Sequence, residues 1–152
     1  GKKLSALIGY DFHDSDSEVE SRTGVDISFV FEKEGEEGFR RRERDAIDDL
    51  TKLNRVVLAT GGGAVLESHN RQRLAERGFV VYLRTSVDQQ FQRVRHSKDR
   101  PLLQGVDTRQ ALEELAETRN PLYEQLADHC MNTDGRRVDV VARELQRVIE
   151  DL

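Results

Sequence analysis

The chain has 152 residues, with 24 basic and 29 acidic side chains and a formal charge of −5. That length predicts one domain, and the acidic balance argues against a dedicated nucleic-acid binder, which would show a basic face. The single Cys130 excludes an intrachain disulfide and fits a reducing cytosol, and no apolar run approaches the roughly 18 residues of a membrane span.

Lys3 to Ile8 is helix-forming, and Gly9 suits the position that stops a helix. Tyr10 to His13 reads as a short extended run ending in Asp14-Ser15-Asp16, and helical composition resumes from Ser17 to Ser21 until Gly24. Asp26 can cap the apolar turn Ile27 to Phe31. Gly35 interrupts, and Glu36 to Leu53 predicts a long charged helix with Phe39, Ala46, Ile47, Leu50 and Leu53 on one side. Arg55 to Ala59 is a continuous apolar run of strand length, the pattern of a buried parallel strand.

Thr60-Gly61-Gly62-Gly63 follows that strand directly, and a helix from about Ser68 to Arg77 is closed by Gly78. Phe79 to Leu83 reads as a second buried strand. Ser86, with Gln89 three residues on, opens a helix to about Arg95 as a capping box. His96 to Asp107 lacks periodicity and reads as a loop. Thr108 to Asp128 is a helix with Leu112, Leu115, Leu122 and Leu126 on a stripe, kinked or restarted at Pro121. Cys130 to Asn132 reads as a short edge-like strand, and Arg137 to Leu152 as the closing amphipathic helix. Strands alternating with helices imply one α/β domain with a parallel sheet.

Five features could carry chemistry. Asp14-Ser15-Asp16 follows a strand, where the ligand crevice of an open α/β sheet lies. Two alternating carboxylates there could serve a metal–phosphate centre and a hydroxyl, although alone the pattern favours an N-cap and a solvated turn. Three glycines after a buried strand permit close ligand approach and positive φ, and their N–H groups can bind anions or hydroxyls. Function outweighs a flexible turn here, because so many glycines carry a large entropic cost.

Arg40 and Glu43 can share one helix face, the acid holding the guanidinium ready for a bidentate anion. On spacing alone a surface charge run is the better reading, and Arg41, Arg42 and Arg44 read as solvated with ordinary i,i+4 pairs. Arg100-Pro101-Leu102-Leu103 sits in a loop long enough to be a lid. Pro121 costs roughly 3 kcal/mol inside a helix and so marks either a boundary or an imposed geometry near Arg119. His13, His69, His96 and His129 show no metal-ligand spacing, and Cys130 reads as a small core residue. Arginine outnumbers lysine 19 to 5, which mildly favours planar anion recognition.

The order of these features is more specific than any one of them. Phe12 to Asp16, Phe31-Glu32-x-x-Gly35-Glu36-x-x-Phe39-Arg40-x-x-Glu43, Ala59 to Gly63, Arg100 to Leu103 and Arg119-x-x-x-Tyr123 together resemble the shikimate kinase family across essentially the whole chain. The resemblance implies a three-layer P-loop kinase fold, with a five-stranded parallel sheet flanked by helices and a mobile lid. It implies a single kinase domain over 1–152, a shikimate-binding region at about 14–45 and a lid at about 96–108. The implied activity is transfer of the γ-phosphoryl of ATP to the 3-hydroxyl of shikimate with Mg²⁺, in a cytoplasmic monomer that engages neither nucleic acid nor membrane.

Carried over by motif, Asp16 is the base or orienting group for the hydroxyls, and Asp14 lies near Mg²⁺ through water. Arg40 and Arg119 grip the substrate carboxylate. Gly61, Gly62 and Gly63 lie against the ring, Glu43 orients Arg40, and Phe31 and Phe39 form an apolar wall. Arg100 approaches the transferring phosphate, and Arg93 and the segment around Asp134 to Arg137 flank adenine.

The chain departs from the family pattern at one point: no G-x-x-x-x-G-K-[ST] occurs in it. Aligned back from Asp14, Gly1 falls just inside the first helix. The expectation is therefore that a strand of about five or six residues and an eight-residue loop precede it, and that the 152 residues alone are inactive. Two other readings are a gluconate-type kinase of the same fold, disfavoured by the paired arginines, and a non-catalytic shikimate-binding relative.

Overall fold

The computed structural model describes residues 1–94 and 108–152. Helix α1 (Lys2–Ile8) ends at Gly9, whose φ of 72° and ψ of 30° place it in the left-handed region. Strand β1 (Asp11–Asp14) runs straight into helix α2 (Ser15–Thr23). Asp14 makes that junction: its Oδ1 accepts the N–H groups of Asp16 at 2.8 Å and Ser17 at 3.2 Å, satisfying donors the first turn leaves open.

Asp26 caps helix α3 (Ile27–Leu50) by accepting the Phe29 N–H at 2.9 Å. The helix is broken at Gly35, whose φ of 71° and ψ of −178° lie in a region essentially confined to glycine. Arg42 closes the break by a bidentate grip on Glu34, with Nε–Oε1 at 2.6 Å and Nη2–Oε2 at 2.8 Å. That pair spans eight residues, not the i,i+4 spacing expected for the charge run, because the kink folds the two turns together. The helix stops at Leu50 rather than Leu53, which is left exposed.

Strand β2 (Val56–Ala59) pairs in parallel with β1, and a 3-10 turn (Gly62–Leu66) leads to helix α4 (Ser68–Arg77). Strand β3 (Val81–Arg84) is followed by helix α5 (Val87–Val94), where Ser86 Oγ accepts the Gln89 N–H as the capping box requires. Helix α6 (Thr108–Leu126) continues through Pro121. Strand β4 (His129–Asn132) pairs in parallel with β3, and helix α7 (Val138–Glu150) ends the described fold.

The four described strands form two parallel pairs, β1–β2 and β3–β4, in the α/β arrangement expected. The pairs are joined by side chains rather than by a ladder. Val57 of β2 and Val81 of β3 both pack against a cluster of Leu4, Met131, Val141, Ala142 and Leu145 from α1, β4 and α7. Residues of β2 are accordingly half-buried, and Leu83 of β3 is 46% exposed. A second cluster, Val19, Val30, Phe39 and Ala46, fastens α2 to α3. Cys130 is exposed, contrary to the core position expected for it, because its neighbour Met131 occupies the inward face of β4.

Candidate active site

In a parallel α/β fold, ligands bind outside the carboxyl ends of the strands. Here β1 delivers Asp14 and Asp16 to that edge, and β2 delivers the glycine run. None of the three glycines has a positive φ. Their role is close approach, and each one accommodates a different side chain. A Cβ on Gly61 would stand 3.1 Å from Asp16 Oδ1, and one on Gly62 would stand 3.0 Å from Arg119 Nη1 and 3.1 Å from Tyr123 Oη. A Cβ on Gly63 would lie 2.7 Å from Arg40 Cζ, inside any permissible contact.

The glycine segment is gripped through its carbonyls. Tyr123 donates to Gly62 O, the fully buried Asn70 donates to Ala64 O at 3.1 Å, and Arg71 donates to Val65 O at 2.6 Å. Asn70 and Arg71 stand in a polar helix with no motif around them, so no sequence signal marks them. Tyr123 closes the Arg119-x-x-x-Tyr123 motif, one turn after Arg119, and so shares its face.

Arg40 donates from Nη1 to Glu43 Oε1 at 2.9 Å, and its Nη2 lies 3.5 Å from Glu36. Its guanidinium also lies 5.3 Å from the Phe39 ring centroid, and Phe39 meets Phe31 at 4.9 Å between centroids. Glu43 is fully buried, and its Oε2 has no hydrogen-bond partner among the described residues. Burial therefore raises its carboxyl above the ordinary 4.5, opposed by the neighbouring Arg40. Asp16 and Arg119 also act on this carboxyl, so the four groups form one electrostatic cluster. Arg119 Nε is buried without a partner among the described residues, a donor positioned for a ligand acceptor.

The raised carboxyl has a sign that can be tested. Neutral Glu43 contributes stability that is complete below the unfolded value near 4.5 and is lost as pH rises through the folded value. Glu43→Gln cannot titrate there. The melting-temperature difference, variant minus wild type, is expected to grow as pH rises from about 4.5 through the folded value. A flat difference across that range would contradict the assignment.

The other strand pair builds a second edge. Thr133 N–H donates to Arg84 O at 2.9 Å, and the Thr85 and Thr133 hydroxyls lie 2.9 Å apart. Asp134 Oδ1 accepts the Ser86 N–H at 3.0 Å, which holds its carboxyl below the usual range, with a smaller contribution from Arg93. Arg93 is exposed beside this junction, and Arg137 is 83% exposed with Nε 3.3 Å from Asp139. Arg100 and the expected lid, save Thr108, lie outside the described residues.

Asp14 spends Oδ1 on the α2 cap, and among the described residues no three His, Cys, Asp or Glu side chains come together as a metal cage. The donors present therefore fit a divalent cation only through water or through the cation's own phosphate ligands.

This cleft, with a carboxylate, two arginines and close backbone at the ends of parallel strands, sits on the P-loop kinase fold. Shikimate kinase from Acinetobacter baumannii, solved in complex with shikimate, superposes with a TM-score of 0.96 at 43% identity over 99% of this chain and 84% of that one. The enzyme from Aquifex aeolicus superposes at 0.85 and 31% identity over 99% of this chain and 87% of that one. The family described as shikimate kinase matches residues 1–150. Shikimate kinase of Pasteurella multocida is 50% identical over 100% of this chain and 87% of its own length, and that of Vibrio parahaemolyticus 49% over 99% and 88%. The chain belongs to the shikimate kinase family.

Proposed function

We propose that this protein transfers the γ-phosphoryl of ATP to the 3-hydroxyl of shikimate, giving shikimate 3-phosphate and ADP, as a cytoplasmic monomer. The observation that carries the reading is the convergence of Asp16, Arg40 and Arg119 on three successive glycines, each permitting one of those approaches. Arg40, held by Glu43, and Arg119, with its open Nε, grip the substrate carboxylate. Phe31 and Phe39 form the apolar wall beside Arg40, and the glycine backbone supports the ring.

Asp16 then orients the attacking hydroxyl and takes its proton as the oxygen–phosphorus bond forms and the bond to the β–γ bridging oxygen breaks. The β3–β4 edge, with Arg93 and Arg137, is where the adenine lies, and Arg100 belongs to the lid that approaches the phosphate. Asp14 would hold Mg²⁺ through water, and the ion would supply neutralisation of the charge developing on the phosphates. Lid closure would exclude water from the phosphoryl group. Residues 1–152 act as one kinase domain, with substrate recognition in about 14–45 and the lid at about 96–108.

The test is shikimate-dependent release of ADP from ATP by the full-length protein, with shikimate binding by calorimetry alongside. Shikimate binding with no ATP binding would favour a non-catalytic relative instead. Gly63→Ala probes the close approach: its Cβ must displace the Arg40 guanidinium, so shikimate affinity is expected to fall about tenfold or more while ATP affinity holds. Unchanged shikimate affinity would remove Arg40 from the site.

A further inference from the structure

Tyr123 is not used by the chemistry above, yet it stands at the centre of the cleft. Its ring packs on Tyr82 of β3 at 4.9 Å between centroids, so its orientation is set by the second strand pair. Its hydroxyl donates to the carbonyl of Gly62, 61 residues away in sequence. The Arg119 guanidinium lies beside the same hydroxyl, its Nη1 and the phenol oxygen both facing the open side of Gly62. A phenol has one donor and acceptor lone pairs, so while it donates to Gly62 it can also accept from a neighbouring guanidinium. Gly62 alone has the space for this: a Cβ there would meet Arg119 Nη1 at 3.0 Å and the phenol oxygen at 3.1 Å.

We propose that Tyr123 is a positioning residue for shikimate recognition: its hydroxyl links Arg119 to the Gly62 carbonyl and fixes the guanidinium against the glycine backbone. Arg119 has two features that make such a link useful. Its long side chain otherwise carries about 2 kcal/mol of rotamer freedom that binding would have to remove. Its Nε, buried and without a partner among the described residues, must point at the ligand for the fork to be bidentate. Anchoring one terminal amine on the phenol would leave Nε and the other amine to face a carboxylate. The phenol also turns the Gly62 carbonyl toward α6, keeping an acceptor oxygen from facing an anionic substrate.

The inference rests on the assignment of Arg119 to the substrate carboxylate, and the experiment separates the two. In the full-length protein, Tyr123→Phe removes the hydroxyl and keeps the ring on Tyr82. The shikimate dissociation constant and KM are expected to rise about five- to tenfold, with the KM for ATP within about twofold and kcat at saturating shikimate little changed. Arg119→Ala should weaken shikimate more strongly, and adding Tyr123→Phe to it should cost nothing further. Unchanged shikimate affinity in Tyr123→Phe, or full additivity in the double variant, overturns the link. An equal loss of shikimate and ATP affinity with a large fall in melting temperature overturns it as well, since that marks a general structural role. If Arg119→Ala itself leaves shikimate binding intact, the carboxylate clamp fails instead.

Discussion

Asp16→Asn is expected to lower kcat on the order of 10² to 10⁴-fold, the usual range for loss of a positioned general base, in a protein that still folds. Asparagine is isosteric, so the approach of residue 16 to Gly61 survives, and the amide can still orient a hydroxyl. What it cannot do is take the proton as the hydroxyl attacks. The structural cost is small. Asp16 lies in the first turn of α2, where a carboxylate is worth about 0.3–1 kcal/mol against the helix dipole. Asp14, which caps the helix, is untouched. Steady-state turnover with a thermal melt of the same preparation checks both halves. Near-normal turnover would refute the role given to this carboxylate.

Arg40→Ala should do two things that can be separated. Shikimate KM should rise on the order of 100-fold, since a charged bidentate contact is lost together with its neighbour's geometry. The variant should also lose stability, because Arg40 is the close cationic partner of a fully buried carboxylate. Breaking such a pair costs about 3–5 kcal/mol when the charge must remain. Burial already raises the Glu43 carboxyl, so it can take up a proton when Arg40 is gone, which keeps the cost toward the lower end. Adding Glu43→Gln to Arg40→Ala should therefore restore much of the melting temperature and none of the shikimate affinity. An unchanged KM in Arg40→Ala would count against the clamp. Failure of Glu43→Gln to recover stability would count against the buried charge as the cause.

Much of the fold was legible because local chemistry and tertiary structure agree. Asp14 and Asp26 cap helices as acidic residues at those positions should, and Ser86 with Gln89 opens α5. Gly9, Gly24 and Gly35 break the chain where only glycine sits easily. Two of the four short strands were readable from apolar runs and the other two as short extended runs, but which of them pair was not. Which strands form ladders depends on inter-strand distance, and no run of valines encodes that. Cys130 was misplaced for a related reason: a three-residue strand does not reveal which of its faces is inward.

The candidate site divides along the same line. Asp16, Arg40, Glu43, the glycines and Arg119 are visible in the sequence as motifs at fixed spacing. Inside the run from Arg40 to Arg44, however, spacing favoured a surface reading, and only the approach of Gly63 shows that Arg40 and Glu43 turn inward. The glycines themselves were assigned two possible uses, positive φ and close approach, and the backbone angles leave only the second.

The alternation of strands and helices along the chain sets its class, α/β, and arginine dominates its basic residues, 19 to 5. The sequence by itself also marked several helix starts by their caps and which residue types could meet an anionic substrate, because caps, breakers and motif spacing act over a few residues. The tertiary structure alone decided which of the many arginines are desolvated and what holds them. Desolvation and hydrogen-bond direction arise between Gly62, Arg119 and Tyr123 only when segments some sixty residues apart are packed together.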